Sequence, residues 1–100
     1  MEIDVPSFGK LIAKYWMNVT EGEVISYEIA ETAIRISSTL SRCGIPRTQR
    51  MIGDYLQRCL IRKHLIPNQL ETKELREEIE YLRAVRHAIR ELENSMTESQ

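Results

Sequence analysis

Cysteine, glycine, histidine and aromatic residues are all sparse in this chain, and each shortage removes a class of protein. The only cysteines are Cys43 and Cys59. Two thiols 16 residues apart are no disulfide framework. They predict a reduced intracellular protein in which both act as small hydrophobes, with a single staple between them as the alternative. The four glycines stand scattered at 9, 22, 44 and 53, so there is no glycine-rich loop to cradle a phosphate. The two histidines, His64 and His87, match no zinc-ligand spacing with the cysteines. No nucleophile sits in a recognisable motif, and no carboxylate pair is spaced for acid–base work. These absences predict no enzyme, no metal and no cofactor. The longest apolar run is far short of a membrane span, which argues against a membrane partner. The opening MEIDVPSF is acidic and lacks a basic-then-apolar signal. A cytoplasmic protein is the resulting expectation.

What is present bounds the answer further. One hundred residues with 42% apolar side chains and six aromatics can bury one small core. Such a core is marginal alone, which makes a dimer reasonable. Charge is unevenly spread. Residues 1–69 carry nine Lys+Arg against seven Asp+Glu, a net +2; residues 70–100 carry five against eight, a net −3. A basic body is followed by an acidic, mixed-charge tail.

The apolar residues recur with helical spacing. Phe8, Leu11, Ile12, Tyr15, Trp16 and Val19 form one stripe, with Ser7 placed to cap it behind Pro6. Thr20 to Glu23 breaks that helix, and Glu23-Val24-Ile25 can form a short strand. Ser26 then caps a second helix, with Glu28 in the first turn where the dipole favours an acid. Ile25, Ile29, Ala33, Ile36 and Leu40 share its face. Ser37-Ser38-Thr39 leaves open whether this is one helix or two. Gly44 ends it. Pro46 suits the first position of the next helix, where its missing N–H costs nothing. His64-Leu65-Ile66 reads as an extended piece before Pro67 that could pair with 23–25 in a minimal two-stranded ribbon.

The helix after Gly44 carries the strongest functional signal. Ile52, Tyr55, Leu56, Cys59 and Leu60 cluster on one side at 100° per residue, while Arg47, Arg50, Asp54, Gln57 and Arg58 fall opposite. From Arg35 to Lys63 there are seven basic side chains and one acid, Asp54, on a chain whose formal net charge is −1. Arginine's planar fork matches guanine O6/N7 and phosphate alike. Arg47 and Arg50 lie one turn apart near the helix start, where recognition helices meet base edges. Thr48 and Gln49 are uncharged readers in that turn, and Gln57 extends the surface. Arg42, Arg58, Arg62 and Lys63 would hold phosphates. Asp54 reads most simply as an i±4 partner of Arg50 or Arg58.

From Leu70 to about Ser95 the chain reads as one long helix. Leu75, Leu82, Ile89 and Met96 recur every seven residues, and Ile79, Val85 and Leu92 widen the seam. Arg86 and Glu93 interrupt it, so it is no ideal coiled coil. A helix of 25 residues, about 37 Å long, exceeds what a small body needs to cover itself. A homodimer through this seam is the expectation, with folding back onto the chain's own core as the alternative.

The order helix, short strand, helix, turn, basic helix, short strand resembles the winged helix-turn-helix DNA-binding fold. The matching words are Gly44-Ile45-Pro46-Arg47-Thr48, then Tyr55-Leu56, then His64-Leu65-Ile66. Many family members read Gly-Ile-Ser-Arg-Thr, Tyr-Leu and Gly-Leu-Ile. The likeness covers residues 8–66. Tyr55 comes about two residues late, the segment from Ile29 to Gly44 is long, and the wing is nearly absent. A wingless form with a C-terminal dimerising helix resembles several small prokaryotic and archaeal-virus regulators. The resemblance implies a mainly α fold: a helix-turn-helix body of three or four helices over 1–69, a dimerising helix over 70–96, and a frayed tail at 97–100. It implies a homodimeric transcriptional regulator that reads duplex DNA with the helix after Gly44. The rival is a helical adaptor or small inhibitor that binds no DNA. The discriminator is whether Arg47, Arg50 and Arg58 pair with glutamates of the tail.

Overall fold

The computed structural model describes residues 2–16, 25–65 and 69–98. Four helices fill them: α1 (Val5–Trp16), α2 (Tyr27–Cys43), α3 (Ile45–Leu65) and α4 (Gln69–Glu98). The mainly α expectation holds. Among the described residues there is no strand. His64 and Leu65 continue α3 instead of pairing, while the remaining ribbon positions 23, 24 and 66 lie outside the described residues.

Each helix start has a local cause. α1 begins at Val5, two residues before the residue expected to cap it. Phe8 N donates to the Asp4 carbonyl at 3.0 Å and Ser7 Oγ donates to Asp4 Oδ2 at 2.6 Å, so Asp4 takes the capping role assigned to Ser7. Pro6 fits because it lies in the first turn, where its lack of an N–H leaves no bond unmade. Ser26 caps α2 as expected: its Oγ accepts from Ile29 N at 3.3 Å, with Glu28 in the first turn. The Ser37–Thr39 stretch does not restart the helix, since α2 runs unbroken from Tyr27 to Cys43. Ser37 is buried, and Thr39 Oγ1 donates back to the Arg35 carbonyl at 3.1 Å.

Gly44 alone forms the joint between α2 and α3. Its N–H donates to the Leu40 carbonyl at 2.9 Å, closing α2, and its own carbonyl accepts from Thr48 N at 3.2 Å, opening α3. The backbone there has φ 83° and ψ 166°, a region that only glycine visits without strain.

The core lies where α1, α2 and α4 meet. Phe8, Ile12, Ile29, Leu40 and Ile89 are fully buried in it, with Val85 and Ala88 from α4 and Ile52 from α3. Burying such side chains contributes about 1.5–3 kcal/mol each. A smaller cluster of Leu56, Cys59 and Ile79 joins α3 to α4. Along this second contact Gln49 meets Arg86 and Cys59 meets Ile79, so the two helices run antiparallel. α1 is fixed to α4 by Trp16 set edge-on to Tyr81 and Tyr15 stacked on His87.

α4 therefore does not stand apart from a 1–69 body. It forms one wall of the shared core, as the alternative reading of the tail supposed. Ile79, Val85 and Ile89 are 0–3% exposed within the single chain. Leu82 and Leu92 pack against the same clusters, Leu75 is half-buried, and Met96 alone of the seam is open, at 36%. Of the seam expected to pair two copies, Ile79, Val85 and Ile89 are thus covered within the chain, while Leu75, Leu82 and Leu92 are half-buried.

Candidate nucleic-acid interface

α3 has two unlike sides, set by its own periodicity. Ile52, Leu56 and Cys59 turn inward. Arg47, Arg50, Gln57, Arg58 and Arg62 are exposed, as is Arg42 at the end of α2; Lys63 is half-buried. None of these cations makes an ion pair within 4.0 Å among the described residues. The pairs found there are Lys14–Glu91 and Glu31–Arg35. Asp54, exposed among the arginines, forms no pair with Arg50 or Arg58. Solvent-exposed pairs gain too little to fix two long side chains.

Two of the residues expected to read bases are not on this face. Thr48 is 1% exposed, and its Oγ1 donates to the Gly44 carbonyl at 2.8 Å. Gln49 is half-buried, and its Nε2 donates to the Arg86 carbonyl at 3.2 Å. Their turn inward follows from position: Thr48 is four residues and Gln49 three before Ile52, so both extend the buried stripe back by one turn. That spacing was present in the sequence and outweighs their suitability as hydrogen-bonding readers.

A cation from α4 was missed. The Arg86 guanidinium lies across α3 at Gly53, its Cζ 3.7 Å from where a Cβ of residue 53 would stand. Gly53 is one turn from both Arg50 and Gln57. Arg86 thus reaches the edge of the arginine face through a gap that the absent side chain leaves open. In the sequence it reads only as an interruption of the α4 seam.

Three glutamates of the tail face α2. Glu74, Glu77 and Glu78 line a groove of about 390 Å³ together with Glu28, Glu31 and Arg35 of α2, over Trp16, Thr32 and Tyr81. No residue of α3 lines it. Among the described residues no glutamate of α4 forms an ion pair with Arg47, Arg50 or Arg58.

A hydrogen bond from Tyr15 holds the Glu91 carboxyl below its ordinary value against the opposing effect of burial, helped by Lys14, whose Nζ donates to Oε1 at 3.2 Å. The same hydrogen bond raises Tyr15. Burial pushes the Cys59 thiol up, which suits a packed side chain and not a nucleophile. Cys43 and Cys59 are both free thiols. Among the described residues no group of three His, Cys, Asp or Glu is arranged to hold a metal ion, and no helix is long and apolar enough to cross a membrane.

No protein-family model, curated protein or solved structure matches this chain. The winged helix-turn-helix resemblance therefore stays a likeness of the residues quoted for it.

Proposed function

We propose that this protein binds DNA through the outer side of α3 and acts as a small DNA-binding regulator. The observation that carries the reading is the run of Arg47, Arg50, Arg58 and Arg62 along one exposed helix side, none of them held in an ion pair among the described residues. Guanidinium groups left in water and spaced by helical turns suit a row of phosphates. Each neutralised phosphate releases counterions, so the affinity would fall steeply with salt. Arg42 and Arg86 widen the basic surface on either side. The inward turn of Thr48 and Gln49 makes the contact one dominated by phosphates, with positioning stronger than base readout. Pairing of two copies through α4 is no part of this reading, because Ile79, Val85 and Ile89 of its seam are covered within the chain.

A gel-shift or anisotropy titration with DNA oligonucleotides, single- and double-stranded, over a salt series tests the proposal. The expected result is binding at low salt that weakens linearly in log–log form. No binding to either form at low salt sinks it.

A second reading has its own observation. Met51, Tyr55, Ile61 and Leu65 are 49–71% exposed on the same helix. Apolar side chains among arginines also suit an acidic protein partner, as an adaptor would need. Stable capture of such a partner by a protein that shifts no DNA would favour it.

A further inference from the structure

We infer that the outer side of α3 takes unpaired DNA, with an exposed base stacked on Tyr55 while flanking arginines hold the phosphates. This rests on the DNA-binding reading and specifies the form of the ligand.

Three features point away from a paired duplex. Thr48 and Gln49, the neutral hydrogen-bonding side chains in the first turn of α3, are turned into the protein and already bonded to backbone carbonyls. What remains exposed includes large apolar surface: Tyr55 is 50% and Met51 49% accessible. Tyr55, expected on the apolar side, is instead half exposed at its border; with Arg47, Met51, Arg58 and Arg62 it runs along one stripe, because steps of four, four, three and four residues return to nearly the same side of a helix. From Arg47 to Arg62 that stripe spans roughly 22 Å.

A duplex presents phosphate ridges and base edges, and hides the flat faces of its bases. It would satisfy the arginines and leave Tyr55 and Met51 against polar groups or water. A single strand presents both phosphates and π-faces. Stacking on an aromatic ring is tolerant of sequence, and arginines beside the ring add contacts to base planes and phosphates. The alternation of cations with apolar and aromatic side chains along α3 matches that chemistry. The negative charge of the strand complements a face whose cations have no partners of their own among the described residues.

The test compares a labelled oligothymidylate of about a dozen nucleotides with a duplex of equal length, using intact protein at low salt. The variants are Tyr55→Ala, Tyr55→Phe and Arg58→Ala, each checked for an unchanged helical circular-dichroism spectrum. The inference expects tighter binding of the single strand than of the duplex. Tyr55→Ala should weaken the single strand by about tenfold and leave the duplex nearly unaffected, while Tyr55→Phe keeps the ring and the affinity. Arg58→Ala should weaken both forms and lower the salt slope by about one phosphate contact. Preference for the duplex, or an oligothymidylate affinity untouched by Tyr55→Ala, overturns the inference while DNA binding itself stands. Failure to bind either form overturns both.

Discussion

α3 and α4 begin from similar material and end in opposite states. Both are long amphipathic helices with charged outer sides and apolar stripes. In α4 the stripe is consumed: Ile79, Val85 and Ile89 disappear into contacts with α1 and α3. In α3 the outer side is left over, with arginines that form no ion pair among the described residues and four large apolar residues half open to water. The apolar side of α4 is largely covered within the chain, and the outer side of α3 is where a partner has room.

The strongest way to break this contrast is to put the same charge on each helix. Ile89→Asp places a carboxylate at a fully buried position of α4 and should abolish the cooperative thermal transition; even Ile89→Ala should cost about 2–5 kcal/mol. Ile61→Asp on the open side of α3, 54% exposed, should shift stability by no more than about 0.5 kcal/mol. Equal losses from both would show that α3 is covered in solution.

The double variant Arg50→Glu, Arg58→Glu addresses the leftover side directly. Its melting temperature should stay near that of the parent, because neither guanidinium is paired among the described residues. Its DNA affinity should drop by more than tenfold at low salt, in line with the loss of about two phosphate contacts and the added repulsion. Retained affinity would move the binding surface off α3.

A smaller effect belongs to the joint that aims α3. Gly44→Ala meets no steric neighbour, yet its φ of 83° is one that a side chain disfavours. The expected loss is about 1–3 kcal/mol in denaturant unfolding, with DNA binding intact in the folded fraction. An unchanged midpoint would mean that the joint relaxes freely.

The smallest effect is on α4's contact with α1. Glu91 titrates below its ordinary value because it is hydrogen-bonded by Tyr15 and Lys14. Its contribution is therefore present above the unfolded-state carboxylate pKa and lost as pH falls through the lowered folded value. Glu91→Gln should flatten the acid side of the melting-temperature profile slightly, since the pair is partly open to water. An identical profile would remove the carboxylate from the stability of that contact.

Much of the architecture was legible in the residues. Periodicity and caps are local, so the α1 stripe, Ser26 and the Gly44 break each carried their own physical cause. The candidate site was legible in part. The exposed arginines were found because they oppose the apolar stripe, but Thr48 and Gln49 were given to DNA for their chemistry when their register placed them inside. Arg86 escaped because its role depends on the missing side chain of Gly53, on a helix distant in sequence.

The sequence by itself determined the apolar stripes, the break at Gly44, and the concentration of positive charge around it, because all three depend on neighbours within a few turns. Only the tertiary structure decided what covers those sides. A heptad stripe looks the same whether its partner is a second copy or its own chain, since burial rewards either equally. A run of arginines likewise looks the same whether it is paired or free. In the tertiary structure α1 and α3 cover Ile79, Val85 and Ile89 of α4, and among the described residues no ion pair holds Arg47, Arg50 or Arg58.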